Sequence, residues 1–160
     1  MSAAEGIFER LKEDHDRHRE LLDKLQSGEG ESKAVFETLT KELKSHAAAE
    51  EQALYSTMLR KPPTTDETRH SVAEHHEIEE ALNDLAAVEI GSKEWDEKLK
   101  EFDHDYRHHI NEEEEDHFPD FKKYLDDEDI THMEKVFERR KEAEKEDAKV
   151  TPERKEDAKE

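Results

Sequence analysis

Cysteine is missing from this chain, and its absence excludes disulfides, thiolate zinc sites, iron–sulfur clusters and cysteine nucleophiles. Basic residues are scarce: 26 Lys and Arg against 47 Asp and Glu leave a net charge of −21 with histidine neutral, which repels phosphate backbones and anionic membrane surfaces. Neither nucleic acid nor membrane is therefore expected as a partner. No stretch approaches the ~20 consecutive apolar residues of a membrane span, and the start Met1-Ser2-Ala3-Ala4-Glu5 lacks the basic and apolar regions of a secretory signal. A soluble, cytoplasmic, monomeric protein is the expectation. Alternating strand patterns and β-branched runs are also lacking, which argues against a sheet.

Core material is thin. Hydrophobic residues make up 31% of the chain and charged residues 46%, a balance that alone would favour disorder. Periodicity argues otherwise, and 160 residues are enough for one domain with a useful core. Phe8, Leu11, His15, His18, Leu22 and Leu25 recur at spacings of three and four, as do Phe36, Leu39, Leu43, His46, Glu50 and Ala53. Each series is an apolar helical seam interrupted by His and Glu, and such interruptions are costly unless a metal or a hydrogen-bond partner satisfies them.

The same patterning predicts four helices. The first covers about 2–26 and stops at Ser27-Gly28-Glu29-Gly30; the second runs from Ser32 to Arg60, before Pro62-Pro63. The third starts near Asp66 or slightly earlier and carries Val72, Ile78, Leu82 and Leu85 before Gly91. The fourth opens at Ser92, a candidate N-cap, and reaches Pro119 or just past it. Short connections predict an all-α, up-down-up-down four-helix bundle over residues 1–125. In residues 126–160, Asp126-Asp127-Glu128-Asp129 is expected to cap a short fifth helix whose stripe of Ile130, Met133, Val136 and Phe137 docks on the bundle. Beyond about Arg139 the reading is a charged tail, frayed or disordered, without chemistry.

Two stretches share a pattern: His46-x-x-x-Glu50-Glu51 and His109-x-x-x-Glu113-Glu114, with Tyr55 and Phe118 following at the same distance. A His and a Glu four apart project from one face of a helix. Sliding the chain by 63 residues (109 − 46) pairs Leu39 with Phe102, Leu43 with Tyr106, His46 with His109 and Glu50 with Glu113. A slide of 60 (75 − 15) lays Asp14-His15 on Glu74-His75 and Leu22 on Leu82. The chain thus reads as two helical hairpins, each supplying one lone His and one His-x-x-x-Glu. His15, His46, Glu50, His75, His109 and Glu113 can then converge inside the bundle. Imidazole with carboxylate suits iron, manganese or zinc rather than calcium or magnesium. Two octahedral ions bridged by both glutamates would fill roughly eight of about twelve positions from the protein, leaving room for a bridging oxygen and a small ligand.

The order His, His-x-x-x-Glu, His, His-x-x-x-Glu, with Asp14-His15 and Glu74-His75 before and Glu-Glu after, closely resembles the hemerythrin-like (HHE cation-binding) proteins over about residues 8–125. The resemblance implies a non-heme di-iron centre, oxo- or hydroxo-bridged, that meets dioxygen, nitric oxide or peroxide. It also implies the six positions above as metal ligands. Oxygen-carrying hemerythrins place a second His four residues after the His of the third helix, where this chain has Glu79. That departure moves weight from oxygen carriage toward peroxide or nitric oxide chemistry, iron sensing or iron holding, with Glu79 or solvent as a substitute ligand. Turnover by a peroxidase- or catalase-like scavenger is the alternative to a pure binder.

The remaining histidines map differently. His18 pairs with Ile78 under the repeat and reads as a hydrogen-bonded core residue rather than a ligand, and His104 and His108 pair with Lys41 and Ser45 and read as solvated. His76 is the alternative to His75 if the register slips by one; His70, His117 and His132 read as surface. Glu51 and Glu114 are either partners of the ligand imidazoles or plain surface. Tyr106 reads as a core aromatic or a proton donor to the site, and Tyr55, Phe118 and Phe121 as packing residues at the end of the bundle.

Overall fold

The computed structural model describes residues 6–28 and 30–148, with side chains to 146. Among them there is no strand, and five long helices form a bundle. Helix α1 (Ile7–Ser27) ends on Gly28, whose φ of 74° is the left-handed conformation that closes a helix. Helix α2 (Ser32–Glu50) runs directly into a π turn (Glu51–Tyr55) and a last helical stretch (Ser56–Met58). A 3-10 turn at Pro62–Thr64 leads into α3 (Thr65–Ala86). Helix α4 (Lys93–Glu112) is capped by Ser92, whose Oγ accepts a hydrogen bond from the Trp95 amide at 3.1 Å, and it too passes into a π turn (Glu113–His117) before Phe118–Lys122. Pro119, which has no N–H to give, follows where the π turn has already interrupted the ladder. The expected boundaries of the first four helices agree with these to within a few residues, and the part of the first helix expected before Gly6 lies outside the described residues. No described helix is long and apolar enough to cross a membrane.

Contacts run from α1 to α2, α2 to α3, α3 to α4 and α4 back to α1, a ring of four helices around a common interior. Two apolar clusters fill that interior. One gathers Leu22, Leu25, Leu39, Leu43, Leu82, Leu85, Trp95, Leu99 and Phe102; the other gathers Phe8, Leu11, Leu54, Tyr55, Met58, Phe118 and Phe121. On α1 the buried residues between the two are Asp14, His15 and His18; on α2 His46 lies between them and Glu50 at the edge of the second cluster, next to Ala49. The polar layer is thus sealed by hydrocarbon on both sides.

Helix α5 (Asp127–Ala148) differs from the expected short helix and solvated tail. It starts with a reciprocal cap, Asp126 Oδ1 accepting from the Asp129 amide at 2.8 Å and Asp129 Oδ2 accepting from the Asp126 amide at 3.1 Å. Met133 and Phe137 belong to the second apolar cluster, so α5 is packed into the same core as α1 and α2. The helix continues past Arg139 because its next inward residue is a cation with a buried anion to meet. Lys141 is only 4% exposed and donates to Asp14 Oδ1 at 2.7 Å. Arg10 completes the seam, bound to Asp14 at 2.5 Å and to Glu138, with its guanidinium 5.1 Å from the Phe137 ring centre. The part of the expected charged tail after Ala148 lies outside the described residues.

Because Phe137 is fully buried between Arg10, Lys141 and the His46 ring, Phe137→Ala should cost about 3–5 kcal/mol of stability. Urea unfolding monitored by circular dichroism would check this, and a loss under about 1 kcal/mol would mean that α5 is not part of the cooperative core.

Candidate metal centre

The six residues singled out by the repeat come together in the polar layer. His46 Nε2 lies 3.5 Å and His75 Nε2 3.1 Å from Glu50 Oε1, while His109 Nε2 lies 2.5 Å and His75 Nε2 3.8 Å from Glu113 Oε1. The His15 and His46 ring centres are 5.2 Å apart, and those of His75 and His109 5.1 Å. Glu50 is 0% and Glu113 1% exposed. His76, His104 and His108 point to solvent, and Glu79 is exposed.

Behind each imidazole stands a carboxylate, arranged with the same twofold logic as the repeat. Asp14 Oδ2 accepts from His46 Nδ1 at 2.8 Å, and Glu74 Oε1 accepts from His109 Nδ1 at 3.0 Å. Glu114 Oε2 accepts from His15 Nδ1 at 2.7 Å, while its counterpart Glu51 stays 3.6 Å from His75 Nδ1, too long for a direct hydrogen bond. The acid before each lone His therefore steadies the imidazole of the next His-x-x-x-Glu, and the acid after each inner Glu turns back to a lone His. Such partners fix ring orientation and raise the basicity of the nitrogen facing a metal. Sequence reasoning allowed this role to Glu51 and Glu114 and gave none to Asp14 and Glu74. The signal was there, an acid immediately before the lone His in both halves.

One π turn begins just after the inner glutamate Glu50 and the other at the inner glutamate Glu113 itself. A π turn inserts an extra residue and shifts everything after it relative to the 3.6-residue period, and such bulges recur at functional sites. The shift brings Tyr55 inward, where its hydroxyl donates to Glu113 Oε1 at 3.1 Å. It also buries His117, expected at the surface, whose Nδ1 pairs with Ser71 Oγ at 2.9 Å. Phe118, the repeat mate of Tyr55, has no hydroxyl and stacks near the His15 ring.

Where the repeat is broken, polar residues pair with each other. His18 Nδ1 is hydrogen-bonded to the Tyr106 hydroxyl at 2.6 Å, whereas their repeat mates, Ile78 and Leu43, are apolar. All of the last three line a small cavity of about 20 Å³ together with Ala47, His46, His75 and His109. That is room for one water or a molecule of comparable size. From outside, a groove of about 350 Å³ between α3 and α4 leads past Glu74, Glu101 and Asp105 to Tyr106 and His109.

The electrostatics are those of a buried anion pair. Burial alone would lower the pKa of His46, but its hydrogen bond to Asp14 and the neighbouring Glu50 carboxylate outweigh that and hold it up at about 9. His109 is likewise pushed down by burial and held up at about 9 by Glu113 and Glu74. Burial works to raise the Asp14 carboxyl, yet His46, Lys141 and Arg10 together hold it well below the usual carboxylate range. His18 goes the other way: burial, reinforced by His46 and His15, keeps it neutral. Protons on the imidazoles thus balance the two inner carboxylates, and cations binding there would displace them. Several atoms still lack any hydrogen-bond partner: His15 Nε2, His18 Nε2, both oxygens of Glu50 and Glu113 Oε2. Stranded buried donors and acceptors are rare, and this set of imidazole nitrogens and carboxylate oxygens has the donor chemistry that suits transition-metal cations.

A family model, the hemerythrin HHE cation-binding domain, matches residues 6–121. The chain belongs to the hemerythrin HHE family. Members of this family bind metal cations, and the clusters Asp14, His18, His46 and His75, His109, Glu113 could each hold one. No curated protein and no solved structure matches the chain.

Asp14→Asn and Glu74→Gln should each weaken metal binding by about 10–100-fold, measured by competition with a chromophoric chelator. Only Asp14→Asn should also lower the unfolding free energy by several kcal/mol, because it removes the anion facing the buried Lys141. Equal effects of the two on stability would contradict the unequal roles assigned to these carboxylates.

Proposed function

We propose that this protein holds a non-heme di-iron pair and binds or reacts with dioxygen, nitric oxide or peroxide. Helices α1–α4 would carry it in up-down-up-down order. His15, His46, His75 and His109 would supply nitrogen and Glu50 and Glu113 would bridge. The observation behind this reading is the pair of fully buried carboxylates with partnerless oxygens among four imidazoles, beside a cavity no larger than a small molecule. Two iron ions would supply reversible electron exchange and open positions for such a guest. Zinc or manganese in the same place is the alternative metal content.

The residues of the chain account for the rest. Leu43, Ala47 and Ile78 give the cavity apolar walls, which favour a small, weakly hydrated guest and exclude larger ones. Asp14, Glu74 and Glu114 hold the imidazoles in position before any guest arrives. Tyr106 brings a hydroxyl to the cavity wall, and burial together with Glu113 and Glu50 raises its pKa, so it keeps its proton. Two arrangements of the Tyr106–His18 pair are chemically distinct. With His18 Nδ1 as the donor, Nε2 presents a lone pair and Tyr106 is free to donate to a guest; with Tyr106 as the donor, His18 is a structural partner only.

That hydroxyl at the cavity supports the second reading, a peroxide-consuming enzyme, because cleaving an O–O bond requires a proton for the departing oxygen. The two readings separate on turnover. Steady peroxide consumption that scales with iron content and falls at least about tenfold in Tyr106→Phe would establish the enzyme. A stable, reversible spectrum without consumption would establish the binder.

Metal analysis by mass spectrometry of the freshly purified protein should find near two irons per chain, with an ultraviolet–visible spectrum that responds to peroxide. Glu50→Gln or Glu113→Gln should release both metals together. Zinc alone or no metal, even after anaerobic iron loading, would overturn the di-iron reading, and loss of a single equivalent would overturn bridging.

A further inference from the structure

Outside the polar layer, a second set of metal-binding side chains lies where α3 meets α4. His70 and Glu74 are four apart on α3, the same His-x-x-x-Glu spacing as the two inner motifs. His70 Nε2 lies 3.3 Å from Glu74 Oε1 and 3.1 Å from Glu112 Oε1 across the helix interface. His117 reaches the same oxygen from the π turn, its Nε2 3.4 Å from Glu112 Oε1. An ion bound at about 2.1 Å from each ligand keeps neighbouring ligands about 3.0 Å apart in octahedral and about 3.4 Å apart in tetrahedral geometry. The three observed separations fall in or close to that range; the ligand atoms of His70, Glu74 and Glu112 all lie within 4.8 Å of one another, and His117 approaches the group through Glu112.

One further observation sets this cluster apart from ordinary surface ion pairs. His117 is only 6% exposed, and Ser71 Oγ holds its Nδ1 at 2.9 Å, so its other nitrogen is oriented toward Glu112 by a buried partner. That is how ligating imidazoles are usually fixed.

We propose that His70, Glu74 and Glu112, with His117 closing the inner side, form a third cation site, selective for a divalent first-row transition ion of the zinc type. Two imidazoles with two carboxylates favour such an ion over calcium or magnesium. The site is separate from the six inner residues and does not depend on which ions those hold. It is nevertheless linked to them, since Glu74 Oε1 is 3.3 Å from His70 Nε2 and 3.0 Å from His109 Nδ1. A cation bound outside draws on the carboxylate that orients an inner imidazole. Occupancy of the outer site therefore perturbs the inner one through a single side chain.

The test is equilibrium dialysis of the protein, with the metals it carries on purification, against increasing zinc chloride, followed by metal analysis. One additional, saturable zinc per chain is expected without loss of the resident metals. It should disappear in His70→Ala and in Glu112→Gln, both at solvent-facing positions, and persist in His104→Ala, a control at an exposed histidine. Binding of the extra zinc should also shift the ultraviolet–visible bands of the resident metals in the wild type and not in His70→Ala. No additional equivalent, or one retained in both His70→Ala and Glu112→Gln, would overturn the site. An extra zinc that leaves the resident bands unmoved would overturn the link through Glu74.

Discussion

Everything else in this bundle answers to the burial of Glu50 and Glu113. Two carboxylates held between apolar clusters face a desolvation cost of several kcal/mol each unless opposite charge lies within contact. The chain surrounds them with four imidazoles, raises the proton affinity of three of these, His46, His75 and His109, and backs imidazoles with further carboxylates. Charge therefore alternates outward from the centre: anion, cation, anion and, at Asp14, cation again from Arg10 and Lys141. Such alternation explains how a chain with so strong an acidic excess tolerates acids in its core. Each buried negative group has a positive neighbour, and the remaining excess sits in solvent.

The same alternation explains which residues sequence periodicity could locate. The four histidines and Glu50 lie on regular α-helix and Glu113 at the very first residue of its π turn, so a 3.6-residue period and a two-copy alignment place them in one layer, and they separate His75 and His109 from the exposed His76, His104 and His108. Tyr55 and His117 lie inside the π turns, where that period fails, and both were read as lying away from the site. Lys141 was out of reach for another reason. A lysine among charged residues looks solvated, and the anion that buries it is 127 positions earlier on α1. Long-range ion pairs leave no local spacing to detect, whereas the apolar stripe of α5 did.

The breaks in the internal repeat carry as much meaning as the repeat. Symmetric positions supply the layer of nitrogen and oxygen atoms, which two similar ions would require. The asymmetric ones differ in kind: Tyr106, held by His18, gives the neighbouring cavity a hydroxyl, while Ile78 and Leu43 give it hydrocarbon. A fully symmetric layer would offer a guest no preferred orientation. Tyr106 brings a hydroxyl to a cavity otherwise lined by three imidazoles and the hydrocarbon of Leu43, Ala47 and Ile78.

The two halves are also unequal one layer further out. Asp14 shares its charge among His46, Arg10 and Lys141, all buried or nearly so, while Glu74 is half-buried and leans on the exposed His70. The carboxylate behind His46 is thus shared with two further cations, whereas the one behind His109 is shared with an exposed ring. His46 and His109, equivalent under the repeat and both held up at about 9, are therefore backed by differently neutralised carboxylates. The difference originates in α5, which lies outside the repeat and brings Lys141 to Asp14. Docking of that helix is thus an electrostatic event beside the polar layer as well as a packing event in the core.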